Sequence, residues 1–320
     1  MTNCSIKIFQ REEAEALLEL NLIEQGKWFH GSLDGQLTKE PASWEELTPY
    51  ERWLHGGWWL DPDTLALYLD VIEETQGVIL VAEKNGKFIG ELDLAIGYDP
   101  IFKETRAHLL WLVVHPKHRR KGVAKRLVQA ATTVARRRGA QALYAEAEDN
   151  RSEQLYVHSG FTKATTITEK IVYPTEINYE EVENLEFESE KVDSRQIPVN
   201  SYLRILGSYY TPEWDVVRAS RLGQLYDILG VPIPEPSFVK TVLDGFTAYM
   251  VLDHRPRIFV ESLDVESIHF MTKIAVIESY YEAHGPDLYL QYYDQFSESL
   301  GLSERFQIKQ KGTPLFRKPI

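Results

Sequence analysis

The stretch from Gly77 to Pro116 constrains the fold more than any other part of the chain. Two apolar runs, "GVILVAEK" and "KFIGELDLAI", meet around Asn85-Gly86, a pair that takes positive φ at little cost and so closes a two-residue type I′ turn. A third run, "AHLLWLVVHP", is apolar almost throughout and stops at Pro116. A strand with no polar face is covered on both sides, so it is expected at the centre of a sheet. Next comes "HPKHRRKGVAKRL", thirteen residues with six Lys or Arg. It leads into a helix from about Val123 to Arg138, with Val123, Leu127, Ala131 and Val134 on one face and Gly139 placed to end it.

The flanks extend this pattern. "SIKIF" reads as a short strand, and Ala14, Leu17, Leu18 and Leu22 mark an amphipathic helix. Ser43 and Glu46 make a capping-box pattern that predicts one short helix, and Asp61-Pro62 predicts another running to about Glu74. Downstream, "AQALYAEAE" reads as a strand, "DNRSEQLYVHSG" as a short helix with Asp149 or Asn150 near its N-cap, and "FTKATTITEKIVY" as a further strand. Strands alternating with helices predict an α/β (α+β) domain.

A chain of 320 residues has room for two such domains. Between Thr175 and Asp193, eight of nineteen residues are acidic and one is basic, which reads as a solvated connector. The expected organisation is therefore a first domain over 1–174, a connector over 175–193 and a second, smaller α/β domain over 194–320. The second half echoes the first in pattern. "AYMVLDHRPRIFVESLD" lies beside the hairpin around Asn85, "SIHFMTKIAVIESYYEAHG" beside the helix ending at Gly139, and "PDLYLQYYDQFSESLGL" beside the strand and helix that follow. It reads either as a diverged repeat or as an unrelated α/β unit, and its "LDVESIHF" keeps no basic turn.

The basic turn has a physical purpose. Where a strand turns directly into a helix, the first backbone N–H groups of the helix are unpaired and its dipole favours an anion such as phosphate or pyrophosphate. Gly122 and Ala124 keep the backbone accessible, and Arg119, Arg120, Lys121, Lys125 and Arg126 add charge. The alternative is a solvated helix start. Neither G-x-G-x-x-G nor G-x-x-x-x-G-K-S/T is present, so nothing supports a dinucleotide or nucleoside triphosphate loop. A formal net charge of -13 with one basic turn argues against nucleic acid and anionic membrane, and it suits a cationic or amine-bearing partner. Cys4 is the only cysteine, which excludes an intrachain disulfide; no His and acid spacing suggests a metal. With no apolar run long enough to span a membrane and no signal-peptide pattern, the protein is expected to be cytoplasmic.

Arg119 to Ala124 fits Arg/Gln-x-x-Gly-x-Gly/Ala and follows Leu112-Val113-Val114-His115-Pro116, which fits Leu-x-Val-x-Pro. With Asn150 and "LYVHSGF" downstream, the sequence over about 5–173 resembles the GNAT N-acetyltransferase superfamily. The resemblance implies a mixed central sheet flanked by helices and a transferase that moves an acetyl group from acetyl-CoA, its cosubstrate, to an amine. It implies that the pyrophosphate lies on residues 120–124, that is Arg120, Lys121, Gly122, Val123 and Ala124, with Arg119 beside them. The pantetheine arm would run along Leu112, Val113 and Val114 and be held by Asn150, with Tyr156 protonating the leaving thiolate. A phenol suits that step because it is neutral at pH 7 and can donate a proton to a developing anion.

The remaining assignments stay open at this stage. Candidates for the base are Glu91, His108, Glu146 and Glu148, with Glu91 and Glu148 put forward beside Tyr156 as catalytic. Trp28, Phe29, Trp44, Trp53, Trp58 and Trp59 form either an aromatic acceptor pocket or core packing. The expected partners are acetyl-CoA, an amine-bearing small molecule or peptide, and a second copy of the chain. The competing reading is a non-catalytic acyl-CoA sensor or scaffold whose C-terminal half mediates dimerisation or partner binding.

Overall fold

Asn85 and Gly86 take φ values of 53° and 74°. The turn they form joins two strands of a computed structural model that describes residues 4–32, 35–172, 185–207, 210–283, 288–296 and 311–320. The first half runs β1 (Ser5–Ile8), α1 (Ala14–Gln25), β2 (Trp28–Gly31), β3 (Leu37–Ala42), α2 (Pro49–Gly56), α3 (Pro62–Glu74), β4 (Val78–Lys84), β5 (Lys87–Asp99), β6 (Glu104–Val114), α4 (Val123–Arg137), β7 (Ala142–Glu146), α5 (Asn150–His158) and β8 (Thr162–Val172). The second adds β9 (Glu188–Lys191), β10 (Leu203–Leu206), α6 (Pro212–Ser220), α7 (Leu222–Leu229), β11 (Ser237–Leu243), β12 (Phe246–Leu252), β13 (Arg257–Val260), α8 (Val265–Ala283), β14 (Leu288–Tyr293) and β15 (Lys311–Pro319). No helix among the described residues is long and apolar enough to cross a membrane.

Local chemistry explains several boundaries. Asp61 caps α3 by accepting from the N–H groups of Asp63 and Thr64, Pro62 opens the helix, and it ends at Glu74 as the pattern predicts. The capping box at Ser43 also forms, but it closes a single 3₁₀ turn over Trp44–Glu46. The helix proper, α2, starts six residues later than Ser43, at Pro49, where the Thr48 side chain accepts from the N–H of Glu51. The hairpin β2–β3 inside the aromatic-rich stretch has no counterpart in the sequence reading.

The main sheet has eight strands in the order β1-β4-β5-β6-β7-β15-β8-β14. It is mixed: β6 and β7 are parallel, and the other neighbours run antiparallel. The apolar β6 lies inside it, as its composition requires. One face carries α4, whose Val123, Leu127 and Ala131 pack with Leu92, Leu94 and Leu143. The other face gathers Leu17 of α1 and Leu65 of α3 with Trp214 and Leu225 from the second half.

The second sheet, β10-β13-β12-β11-β9, shares part of the first sheet's order, an edge strand (β9) beside a meander (β11–β13) that leads into a helix (α8), but β10 takes the far edge and the strand after the helix, β14, joins the main sheet instead. Its hairpin turns at Asp244-Gly245, with φ values of 51° and 81°, and joins β11 to β12. That is one strand earlier than "AYMVLDHRPRIFVESLD", which spans β12 and β13, so the counterpart of the Asn85 hairpin lies upstream of the segment that the sequence pattern suggests. The acidic stretch contributes β9 at the edge of this sheet, and residues 175–184 of it lie outside the described residues. The chain thus passes to a second sheet near the expected boundary, but it returns. β14 pairs with β8, and β15 lies between β7 and β8. One core cluster accordingly joins Met271, Ile274 and Ala275 of α8 to Tyr144, Ile167 and Leu315 of the main sheet.

Candidate active site

The parting of β6 from β7 creates the largest groove described here. The two strands pair at three positions only, Arg106 with Ala142 through His108 with Tyr144, whereas β6 stays paired with β5 as far as Val114. One cause is visible in the register with β5: Asp93 faces Trp111 and Leu94 faces Leu109, so Leu110 is an extra residue. Such a bulge bends and twists the strand that carries it. Beyond His108 the edge of β6 therefore borders a groove of about 500 Å³. Its walls include Glu146, Glu148, Asp149, Ser152 and Tyr156, with Arg119 and Ala124 where β6 runs into α4 and Tyr210 near the point of parting.

At the α4 end, Gly122 sits at the N-cap with φ 84° and no side chain caps the helix. A Cβ placed there would meet nothing within 4 Å, so the backbone is open to a ligand. Arg120 also takes a positive φ of 60°. Several cations of the turn have internal partners. Arg119 Nε donates to the Val114 carbonyl at 3.0 Å and its guanidinium pairs with Glu24. Lys121 Nζ donates to the Lys117 carbonyl at 2.6 Å. Arg126 reaches back to Cys4, 2.9 Å from Sγ and 2.7 Å from the carbonyl, and so braces β1. Arg120 and Lys125 are exposed, and Val123 is buried in the core beneath α4.

The other anticipated residues separate. Leu112, Val113, Val114, Arg119, Ala124, Glu148 and Tyr156 line the groove. Tyr156 is 4% exposed and packs against Phe161 and against Phe316 of β15, with ring centres 5.4 and 6.3 Å away. Burial, and then the charges of Glu146, Glu148 and Asp149, push its phenol above the ordinary range, so it is neutral at physiological pH. Asn150 opens α5 on the exposed side and is not among the groove residues, while its neighbours Asp149 and Arg151 are.

Glu91 faces away from the groove, toward α1. It has no exposed surface, and Oε2 accepts from Asn21 Nδ2 at 2.7 Å. Asp93 is beside it on the same strand face and accepts from the Tyr68 hydroxyl at 2.7 Å. Two adjacent buried carboxylates cannot both ionise cheaply. Burial and mutual repulsion raise Glu91 well above the usual range, and burial lifts Asp93 to about 7. His108 is also fully buried, 3.7 Å from Glu146 and packed edge-on against Tyr210. Burial, with the nearby Arg106 and Arg204, holds His108 well below its ordinary pKa and therefore neutral.

A second cavity of about 120 Å³ adjoins the groove across Leu110 and Tyr210. Trp58, Trp59, Tyr68 and Trp214 wall it, and Arg218 and Arg255 supply its charged groups. Of the aromatic residues flagged in the sequence, Trp58 and Trp59 reach this cavity; Trp53 packs on Trp58 with ring centres 5.2 Å apart, and Trp28 packs on His55. Tyr210, Trp214, Arg218 and Arg255 come from the second half and were not singled out by the sequence. Tyr210 is fixed by a buried ionic cluster. Its carbonyl accepts from Arg106 and Arg204, each at 2.6 Å, while Arg106 pairs with Asp99 and Arg204 with Asp215.

Comparison with known proteins agrees with this geometry. Residues 40–161 match the family model described as Acetyltransferase (GNAT) family. An uncharacterized N-acetyltransferase of Bacillus subtilis (strain 168), YhfO, is 33% identical over 96 residues, which are 29% of this chain; the match spans 64% of that relative's length. Two crystal structures align along almost the whole chain. One is a candidate acetyltransferase from Pyrococcus horikoshii with a TM-score of 0.59 at 10% identity, covering 100% of this chain and 90% of its own. The other is a GCN5-related N-acetyltransferase from Kribbella flavida with a TM-score of 0.56 at 10% identity, covering 99% and 72%. At that identity the two structures speak for the fold, second half included. The parted strands and the uncapped basic helix start lie within residues 40–161, and over that span the chain is similar to the GNAT acetyltransferase family.

Proposed function

We propose that the protein transfers an acetyl group from acetyl-CoA to an amine. The observation that carries this reading is the divergence of β6 from β7, which leads a free strand edge directly to the uncapped N-terminus of α4. The pyrophosphate would rest on residues 120–124 and the pantetheine arm on the edge of β6. A structural neighbour from Salmonella typhimurium, yncA, was solved with acetyl-CoA, and one from Thermoplasma acidophilum, paia N-acetyltransferase, with coenzyme A.

The chemistry balances without a covalent enzyme intermediate. The amine nitrogen attacks the thioester carbonyl, the C–N bond forms, and the C–S bond breaks. Backbone N–H at the Leu110 bulge is suited to the oxyanion. Tyr156 gives a hydrogen bond to the departing sulfur. Full transfer of its proton is uphill, because a buried phenol is a weaker acid than a thiol of pKa about 8.5. The proton lost by the amine goes to Glu146, which lines the groove beside His108; Glu148 stands further out on the exposed lip. Glu91 is sealed from the groove and is better placed to set the local fold than to take that proton.

The test is thermal unfolding with acetyl-CoA, combined with thiol release in the presence of amines. Acetyl-CoA should raise Tm as a ligand that binds only the folded state. Gly122→Glu places a carboxylate in the anion site and should abolish the shift. Gly122→Ala carries the same backbone strain, about 1–2 kcal/mol for a left-handed residue, and should keep it. A shift retained in Gly122→Glu rejects the placement.

A further inference from the structure

Resting on the acyltransferase reading above, we infer that the cavity beside the groove selects an acceptor amine that also carries an acid group, a carboxylate or a phosphate, held by Arg218 and Arg255. The argument is one of charge pairing. Four arginines of the second half cluster here, Asp93 is engaged by the Tyr68 hydroxyl, and two carboxylates of the second half are also taken. Asp215 is bound to Arg204, and Asp253 is 2.9 Å from Arg257. The Arg218 side chain makes no hydrogen bond or ion pair among the described residues. The guanidinium of Arg255 lies 5.4 Å from the centre of the Tyr289 ring, and its buried Nε has no hydrogen-bond partner among the described residues. The indole N–H of Trp214, on a residue 3% exposed, is also unpartnered among them.

Both side chains are half-buried, and a cation partly withdrawn from water without a bound counter-ion is costly. Burial, with Arg257 and Arg255 close by, already lowers the pKa of Arg218. An arriving anion offsets that cost and gives charge-assisted, two-pronged hydrogen bonds. The local field is opposite to the overall charge of -13, so acid excess in the sequence is a poor guide to the acceptor. The aromatic walls face the organic part of the ligand. At about 120 Å³, and about 30 Å³ for each water, the cavity has room for about four water-sized groups, which fits the acid-bearing end of a small molecule. The second half, which has no basic turn of its own, thereby gains a role: it supplies the cations that read the acceptor.

The experiment compares paired probes at millimolar concentration by thermal unfolding, with and without acetyl-CoA. The pairs are alanine with ethylamine, leucine with 3-methylbutylamine, phenylalanine with 2-phenylethylamine, and phosphoethanolamine with ethanolamine. In at least one pair the acid-bearing member should stabilise and its partner should not; whether it is an amino acid or the phosphate identifies the source. Arg218→Gln and Arg255→Gln should weaken that ligand about 10- to 100-fold and retain the acetyl-CoA shift. Where a Gln variant does not unfold cooperatively, the Lys variant, which keeps the charge without the planar fork, is read in the same way. Equal stabilisation within every pair, no stabilisation by any acid-bearing amine, or unchanged affinity in both variants overturns the inference. Absence of an acetyl-CoA shift in the wild type overturns the acyltransferase reading instead, and the paired comparison still decides the cavity.

Discussion

Asp99→Asn should destabilise the protein far more than the loss of one hydrogen-bond acceptor would. Asp99 and Arg106 have no exposed side-chain surface and lie 2.8 Å apart; Arg204 is 3.9 Å from the same carboxylate and is itself paired with Asp215. Two positive and two negative groups balance in the interior, and neutralising Asp99 strands one positive charge there. Removing one partner of a buried pair costs about 3–5 kcal/mol. With a urea slope of about 3 kcal/mol/M, the unfolding midpoint should fall by about 1–1.7 M. Adding Arg106→Gln removes the stranded charge, so the double variant should be more stable than the sum of the single losses predicts. Both arginines hold the Tyr210 carbonyl, and Tyr210 stands between groove and cavity. Asp99→Asn should therefore also raise KM for the acceptor while leaving the acetyl-CoA shift intact. Urea unfolding followed by tryptophan fluorescence measures the first effect. A loss below about 1 kcal/mol, the range of an exposed pair, or strict additivity in the double variant, would refute the reasoning.

Two further outcomes follow from the site. Tyr156→Phe should lower kcat by about 10²-fold or more with little change in Tm, and an unchanged kcat removes Tyr156 from the chemistry. Because burial raises this phenol above its ordinary value, the wild-type rate should show no descending limb due to Tyr156 below about pH 10. Asp93 offers a test of pH-dependent stability. Its folded value of about 7 lies above the reference value of 3.8, so the folded state binds the proton more tightly. Its contribution is full below the lower value and is lost as pH rises through the higher one. The Tm of Asp93→Asn relative to the wild type should thus climb between about pH 4 and pH 8, and a flat difference would show that Asp93 ionises normally.

Much of the first half was legible because its signals are local. The turn at Asn85-Gly86, the cap at Asp61 and the stop at Gly139 each depend on residues within one turn of themselves, and each formed. Along the chain nothing marks the parting of β6 and β7, because it arises from a register offset with β5 at Leu110. The seclusion of Glu91 is of the same kind: an acid on an alternating strand reads as outward-facing until Asn21 and Asp93 are seen around it. Asp244-Gly245 was legible in principle, since an Asp-Gly pair between "SFVKTVL" and "FTAYMVL" is as strong a hairpin signal as Asn85-Gly86. The contribution of Arg218 and Arg255 was not, because it depends on which arginines other carboxylates have claimed.

The position of β15 has a consequence for biogenesis. A ribosome that has made every strand through β8 has not yet made the one that must lie between β7 and β8. Until residue 319 emerges, those two strands present open edges, the kind that pair with the wrong neighbour, and the backing of Tyr156 by Phe316 is missing. Contacts between residues so far apart in sequence also slow the search for the native state. The main sheet is therefore complete only when the C-terminal strand has been translated, and the first half alone lacks one member of its own sheet.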